Sequence, residues 1–302
     1  MTSASSSLLV GNKLPASIEV TPRQAIESED LPGLFPKGVR VYIPDLGTDS
    51  TDTLVRAARR VRDLGYEPVP HFAARRLTTH TALESRVKAL AEVAGVRDVL
   101  VIGGGLETPA GEYASTMDVL ETGYFDRYGI TEIGVAGHPE GSPDFSEARA
   151  LDALQLKKAF GERTNASLRI VTQFGFDPQG AIDWAEGLQS QGIDLPIHLG
   201  VAGPAKLPTL IKYAAMCGVG NSIDFLKKRA GSLTSLVTGP SPDDVVVPIE
   251  THVGAHANAL ITQLHVFPFG GIKKAAHWLK ERGSWPQTTG GEQMHRSLGS
   301  GR

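Results

Sequence analysis

Several predicted buried strands of this sequence end in residues that can donate a proton or come close to an anionic ligand. They are a carboxylate, two histidines and several small or amide residues, namely Glu19, His71, Gly103-Gly104-Gly105, His138, Thr172-Gln173 and Gly200. In folds with parallel strands, the residues that finish the strands meet at one mouth and bind the ligand there. A carboxylate held among apolar neighbours at such a mouth can have a raised pKa and act as a general acid. The pattern therefore predicts a small-molecule site with acid chemistry.

Each of these residues also has a simpler interpretation. Glu19 could be a solvated turn residue or form a salt bridge, and the histidines at the strand ends could bind a phosphate or ribose or be satisfied locally. The glycine triplet is only a loose relative of a dinucleotide-binding loop. His198 and His265 fall inside strands, which indicates core positions. The histidines also suit a metal hydrolase, but the first strand has no His-x-His pair and the eighth lacks an aspartate, so no metal site is predicted.

The elements that would position these residues alternate along the chain as strand and helix. Eight short apolar segments read as strands, and they are Ala16–Thr21, Val39–Ile43, Glu67–Ala73, Asp98–Gly103, Thr131–Ala136, Leu168–Asp177, Pro196–Gly200 and Gln263–Phe267. This number and length predict a single-domain α/β fold, a (β/α)8 TIM-type barrel over residues 16–282. A doubly wound open sheet is the alternative. Residues 1–15 are predicted to be a flexible leader and residues 283–302 a mobile C-terminal tail.

Helical periodicity follows most of these strands. The predicted helices cover residues 51–64, 81–93, 116–128, 146–160, 179–191, 207–216, 221–229, 248–261 and 272–281.

Composition and charge narrow the class of partner. The chain has 302 residues with 30 basic and 33 acidic side chains, so a net charge of −3 predicts binding to neither nucleic acid nor a membrane. A single cysteine excludes an intramolecular disulfide and fits a reducing compartment. The start of the chain lacks the features of a secretory signal, so we expect a cytoplasmic protein.

Several motifs in order give the chain a family resemblance. They are Ile18-Glu19 with Pro22, Pro70-His71, Glu112–Ser115, Ala136–Pro143, Leu154–Lys158 and Thr172–Asp177. Together they resemble the methylenetetrahydrofolate reductase family, flavoprotein (β/α)8 barrels that reduce the one-carbon unit on folate. The resemblance runs from about Ser17 to Trp278. It implies an oxidoreductase that converts 5,10-methylenetetrahydrofolate to 5-methyltetrahydrofolate with NADH or NADPH, with FAD as the carrier.

The resemblance also implies residue roles. Glu19 matches the acid that protonates the folate nitrogen, and Gln173 matches a contact to the pterin. The matches to flavin contacts are His71, Tyr113, Ala114, Asp152 and a lysine at Lys157 or Lys158. We place Gly103, Gly104 and His138 beside the cofactor as well. Gly105 and Glu107 are placed beside the folate. A homo-oligomer is also expected.

The chain departs from the family pattern after its fourth strand. Gly103-Gly104-Gly105 stands where the family has Arg-Gly-Asp, so an arginine and an aspartate are missing, and Glu107 is the candidate replacement for the carboxylate. Further along, Ser142 replaces a histidine and His138 a tyrosine. Two alternatives therefore stay open: direct hydride transfer from NAD(P)H to the folate without flavin, and a catalytically silent folate-binding subunit of a larger complex.

Overall fold

Eight parallel strands form a closed barrel. The computed structural model of the chain describes residues 13–219, 222, 226 and 239–286. Each strand pairs with the next in sequence, and the last pairs with the first. The strands are β1 (Ala16–Glu19), β2 (Arg40–Ile43), β3 (Glu67–Ala73), β4 (Asp98–Ile102), β5 (Glu132–Gly137), β6 (Ser167–Phe174), β7 (Ile197–Ala202) and β8 (Ile261–Phe267). The predicted (β/α)8 barrel is confirmed, and the open sheet is excluded.

Helices surround the barrel. They are α1 (Pro22–Glu27), α2 (Thr51–Asp63), α3 (His80–Val93), α4 (Thr116–Leu120), α5 (Tyr124–Arg127), α6 (Glu147–Glu162), α7 (Pro178–Ser190), α8 (Leu207–Met216), α9 (Asp243–Ala255) and α10 (Ile272–Glu281). Side-chain caps such as Ser50 before α2 and Ser146 before α6 satisfy backbone amides that the first helical turn leaves free. None of the described helices is long and apolar enough to cross a membrane.

Most element boundaries agree with the sequence pattern, and the exceptions have local causes. The predicted helix over residues 116–128 is two short helices, because Gly123 adopts a left-handed conformation with φ of +70° between them. The helix predicted to begin at Pro248 instead begins at Asp243 and ends at Ala255, with Pro248 inside it. Two aspartates in its first turn mark the true start. The helix predicted over 221–229 lies outside the described residues.

A charged network fills the N-terminal end of the barrel interior. The carboxylate of Asp98 accepts hydrogen bonds from Arg169 at 2.6 Å and from Arg40 at 2.8 Å. Arg169 also donates twice to the hydroxyl of Tyr42, at 3.1 and 2.9 Å. Arg169 and Tyr42 are buried, and most of the other buried side chains are apolar. This network supports the floor of the barrel below its mouth.

Residues at both predicted flexible ends pack against the barrel, although the composition of these segments predicts mobility. Trp285 is 3% exposed, and its indole nitrogen donates to the carbonyl of Ala16 at 2.8 Å. At the other end, Leu14 is fully buried and its amide donates to Glu250 at 3.0 Å. Leu14 and Trp285, which the sequence places in the leader and the tail, therefore pack on the barrel, where burial of a leucine and of a large aromatic ring is favourable. Residues 1–12 and 287–302 lie outside the described residues.

Candidate functional site

A cavity of about 640 Å³ opens at the C-terminal ends of the strands. Many of the predicted site residues line it, namely Glu19, His71, Gly103-Gly104-Gly105, His138 and Gln173. These residues come from the ends of five different strands, and barrel closure brings them together. The volume suits a small organic ligand with fused rings.

Glu19 lies between two histidines on the floor of this cavity. Its Oε1 atom is 3.7 Å from Nε2 of His71 on β3 and 3.8 Å from Nε2 of His265 on β8. The Glu19 side chain is 19% exposed, whereas the side chains of His71 and His265 are 7% and 1% exposed. Neither Nε2 atom has a hydrogen-bond partner among the described residues. Two buried imidazole nitrogens therefore face one carboxylate.

Neighbouring hydrogen bonds indicate which nitrogen of His265 carries a proton. The hydroxyl of Ser17 donates to the carbonyl of Leu264 at 3.2 Å, and Nδ1 of His265 lies 3.1 Å from the same hydroxyl oxygen. Because the hydroxyl hydrogen is already used, Nδ1 is the donor to Ser17. Nε2 is therefore the nitrogen of His265 that faces Glu19, and a proton bound there would lie between the imidazole and the carboxylate.

The environment of Glu19 differs from the sequence prediction in one respect. Burial by itself raises the pKa of the Glu19 carboxyl, but the imidazoles of His265 and His71 outweigh it, and the pKa lies below its usual range. The predicted raised pKa is therefore wrong for the ligand-free chain. The physical reason is that tertiary contacts supply two histidines that stabilise the carboxylate.

His71 is buried in a state that cannot easily accept a proton. Burial lowers the pKa of His71 to about 4, although the nearby carboxylate of Glu19 acts in the opposite direction. Burial also lowers the pKa of His198 well below its ordinary value. Both imidazoles are therefore neutral at neutral pH.

These buried histidines predict acid sensitivity. Between about pH 6.5 and about pH 4, an unfolded chain binds a proton at His71 that the folded chain does not, so stability falls as the pH falls. One such group contributes at most about 1.4 kcal/mol per pH unit. We expect His71→Asn to reduce this slope visibly, measured by urea unfolding at several pH values. His277→Asn, at an exposed position on α10, should leave it unchanged, and equal slopes in both variants would contradict the prediction.

An irregularity in β6 directs Gln173 into the cavity. The register between β6 and β7 shifts between Val171 and Phe174, and the hydroxyl of Thr172 accepts a hydrogen bond from the amide of Gly200 at 2.8 Å. A Cβ atom at Gly200 would lie 2.4 Å from the carbonyl oxygen of Thr172, so only glycine fits there. The side-chain oxygen of Gln173 accepts from the amide of Phe174 at 3.1 Å, and within the described ranges its NH₂ group has no protein acceptor and can donate to a ligand.

The glycine triplet leaves open space at the cavity wall. Added Cβ atoms at Gly103 and Gly105 would meet no atom within 4 Å, whereas Gly104 has a φ of +82° and its Cβ would lie 3.2 Å from Ala73. The positions where the family has arginine and aspartate are therefore free to hold side chains. Gly104 alone is required by the backbone conformation.

Other predicted site residues do not line the cavity, and these are Glu107, Tyr113, Ala114, Asp152, Lys157 and Lys158. Tyr113 packs in the hydrophobic core, and burial raises its pKa to about 12. Lys158 pairs with Glu162 and with Asp194, at 3.2 Å from the latter. Lys157 is buried, and burial lowers its pKa to about 8. Glu107 and Asp152 are exposed.

The positions of these residues show how many of the expected FAD contacts border the cavity. Of the residues proposed to hold FAD, only His71, Gly103, Gly104 and His138 border the cavity. The described residues of its lining include several carboxylates but neither lysine nor arginine, the side chains that most often bind a pyrophosphate. Burial lowers the pKa of the His138 imidazole, and Lys157 nevertheless lies close enough to it for its charge to contribute to that lowered pKa.

Three residues that line the cavity were not identified as site residues from the sequence. His265 was interpreted as core because it lies inside a strand. Asp45 follows β2 and pairs with Arg86 at 2.9 Å, and its position just after a strand was a signal that could have found it. Glu140 accepts hydrogen bonds from the amides of Phe176 and Ser222 at 3.3 and 3.0 Å, which ties the loop after β6 to the segment after β7. Nothing in the local sequence indicates that role.

A closed barrel whose mouth holds a cavity with a carboxylate between two imidazoles has the architecture of a barrel enzyme that binds a small organic ligand. Curated relatives agree with this class. The chain is 28% identical over 228 residues to the 5,10-methylenetetrahydrofolate reductase of Pectobacterium carotovorum subsp. carotovorum, covering 68% of the chain and 70% of the relative. It is 29% identical over 229 residues to the reductase of the same name in Escherichia coli (strain K12), covering 70% and 71%. The family resemblance and the prediction of an enzyme are therefore confirmed.

Two other comparisons differ in coverage and in identity. The Methylenetetrahydrofolate reductase 1 of Schizosaccharomyces pombe is 34% identical over 109 residues, which is 35% of the chain and 17% of that protein. A solved structure of an uncharacterized protein from Clostridium thermocellum, which binds two copies of 5-methyl-5,6,7,8-tetrahydrofolic acid, matches with a TM-score of 0.58. The match covers 90% of the chain and 96% of that structure at 12% identity, and it supports the barrel fold. No protein-family model matches the chain.

Proposed function

We propose that the protein reduces 5,10-methylenetetrahydrofolate to 5-methyltetrahydrofolate with NAD(P)H. The observation that carries the proposal is the Glu19 carboxylate between the unpaired Nε2 atoms of His71 and His265 at the mouth of the barrel. This arrangement can hold one proton and deliver it to a bound ligand. The name of the relatives supplies the substrate class.

The chemistry needs one proton and one hydride. Glu19 donates the proton to the folate nitrogen N10, the bond between N10 and the methylene carbon breaks, and an iminium forms at N5. A hydride then adds to the methylene carbon and yields the methyl group. NAD(P)H supplies the hydride and leaves as NAD(P)⁺. The sum is one substrate molecule, one NAD(P)H and one proton, converted to the methyl product and NAD(P)⁺.

His265, the partner of Glu19 on β8, is the residue that can supply Glu19 with a proton. The lowered pKa of Glu19 keeps the carboxylate ionised before the ligand binds, so the proton has to reach it on binding, and Nε2 of His265 at 3.8 Å is placed to pass it on. When the pterin covers the mouth, it removes water from Glu19, and desolvation favours the neutral acid. The proton then moves from Nε2 of His265 to Glu19, and from there to the folate.

Gln173 is suited to orient the pterin. Its NH₂ group is free to donate, because its side-chain oxygen is already held by the amide of Phe174. The pterin ring presents a carbonyl oxygen and ring nitrogens along one edge, which such a donor recognises. The strand below is rigid, and the orientation of the reacting nitrogen toward Glu19 follows from this contact.

We further propose that the hydride passes directly from nicotinamide to the folate. The support is the cavity lining, which includes only His71, Gly103, Gly104 and His138 of the residues expected to hold FAD and, among the described residues, neither lysine nor arginine. The purified protein should therefore be colourless and should oxidise NAD(P)H only when methylenetetrahydrofolate is present. A yellow protein with bound flavin, or flavin-dependent turnover, would overturn the direct route.

Steady-state assays decide the proposed activity itself. NAD(P)H oxidation should match the methyltetrahydrofolate formed, measured by mass spectrometry, in a ratio of one to one. Folate binding without turnover would instead mean a catalytically silent folate-binding subunit. Absence of both would remove the folate proposal.

The glycine triplet offers a gain-of-binding prediction. An aspartate at position 105 has room for its side chain, and a charge-assisted hydrogen bond to the pterin is worth about 1.5 to 3 kcal/mol. Gly105→Asp should therefore tighten folate binding by about tenfold or more, measured by isothermal titration calorimetry. Gly104→Asp is the matched control, because its backbone conformation is strained for any side chain. Unchanged affinity in Gly105→Asp would mean that the pterin lies elsewhere in the cavity. Glu107, which is exposed, stays only a predicted substitute.

A further inference from the structure

A second cluster of chemically active side chains lies at the opposite end of the barrel from the mouth. Glu186 is in the last part of α7, and His252 and His256 are at the C-terminal end of α9. A shallow cavity of about 220 Å³ beside them reaches Ile261, the first residue of β8. The cluster is therefore separate from the site proposed for folate.

Its geometry suits a single metal ion. One ligand atom from each residue lies within 4.8 Å of the others, and no other trio of this kind occurs in the described residues. Nε2 of His252 is 3.6 Å from Oε1 of Glu186. The rings of His252 and His256 are stacked, with centroids 4.1 Å apart. Ligands of a tetrahedral zinc ion are separated by roughly 3.3 Å, so small side-chain rotations bring these atoms into place.

Hydrogen bonding prepares one imidazole for a metal. Nδ1 of His256 lies 2.8 Å from the carbonyl oxygen of His252, and only a protonated Nδ1 can donate to it. The lone pair of His256 is then on Nε2, which is the atom free to coordinate. A second-shell contact of this kind, from a ring nitrogen to a backbone carbonyl, is common at histidine metal ligands because it sets the ring orientation.

We propose that Glu186, His252 and His256 bind one divalent transition-metal ion of the zinc class and thereby clamp α7 to α9. Two imidazoles and one carboxylate suit zinc, nickel or copper, whereas magnesium and calcium prefer oxygen ligands alone. Glu186 and His256 are exposed, so solvent completes the coordination. At the N-terminal face of a barrel, the expected role of a bound metal ion is to stabilise the fold, because the chemistry takes place at the other end.

The test uses full-length protein without an affinity tag, treated with a chelator and titrated with zinc chloride by calorimetry. We expect one zinc per chain, a higher melting temperature with zinc, and no response to magnesium. His256→Gln and Glu186→Gln should each weaken zinc binding by about tenfold or more and remove the rise in melting temperature. Both positions are exposed, so both variants are expected to fold.

Matched controls separate this site from other zinc ligands. His277 and Glu281 form an exposed histidine–carboxylate pair one helical turn apart at 3.0 Å, and Cys217 is an exposed thiol. His277→Gln and Cys217→Ser should bind zinc like the parent protein. Loss of binding in either control with normal binding in His256→Gln would overturn the proposal. Zinc binding that leaves the melting temperature unchanged would overturn the clamp. Neither result depends on folate reduction.

Discussion

Glu19→Gln should lower the rate of methylenetetrahydrofolate reduction by roughly 10²-fold or more, because glutamine keeps the shape of the side chain but cannot donate the proton that opens the ring. The substitution leaves the neighbouring histidines in place. Binding of the product methyltetrahydrofolate, which needs no proton transfer, should change little. Turnover by NAD(P)H oxidation and affinity by calorimetry measure the two quantities separately.

A second cavity carboxylate provides the control for this substitution. Asp144 also lines the cavity, but it is exposed and has no imidazole partner in the Glu19 cluster. Asp144→Asn should retain nearly full activity. If Glu19→Gln lost affinity and stability together with turnover, Glu19 would have a structural role. A loss of less than about tenfold in turnover would remove the acid role altogether.

Asp98→Ala should lower the free energy of unfolding by about 3 to 5 kcal/mol, because it leaves the buried guanidinium of Arg169 without its carboxylate. The partner Arg40 is only partly buried and can turn toward water, whereas Arg169 cannot. Asp98 and Tyr42 together hold the positive charge, and the pKa of Arg169 is raised by them although burial acts against it. Urea unfolding followed by circular dichroism gives the energy.

An exposed ion pair is the control that shows how much the burial of Asp98 and Arg169 contributes to the effect on stability. Glu27 pairs with Arg23 at 2.8 Å on the surface of α1, and Glu27→Gln should leave the unfolding midpoint unchanged. His265 packs against Tyr42 with their rings tilted and their centroids 4.3 Å apart, and this contact connects the network to the site. Asp98→Ala should therefore also reduce turnover in the fraction that remains folded. A stability loss below about 1 kcal/mol would mean that Tyr42 and water suffice to solvate Arg169.

Local patterns in the sequence determined most of the architecture. Apolar β-branched runs identified the strands, and β3, α8 and α10 have the predicted boundaries. Such runs are readable because a strand buried on both faces and an amphipathic helix each impose a period on the residues that form them. Glu19, His71, Gly103-Gly104-Gly105 and Gln173 were placed at the mouth in the same way, because each lies at or near the end of a predicted strand and parallel strands end at one mouth.

Contacts between distant segments decided what local patterns could not. His265 was taken as core, yet the closure of β8 against β1 places it beside Ser17, 248 residues away, and beside Glu19. The same contacts reversed the predicted direction of the Glu19 pKa shift. Trp285 appeared to belong to a polar tail, but it packs on Phe35 and bonds to Ala16. In each case the deciding interaction joins residues far apart in the chain, and its energy depends on distances of a few ångströms that only the folded barrel defines.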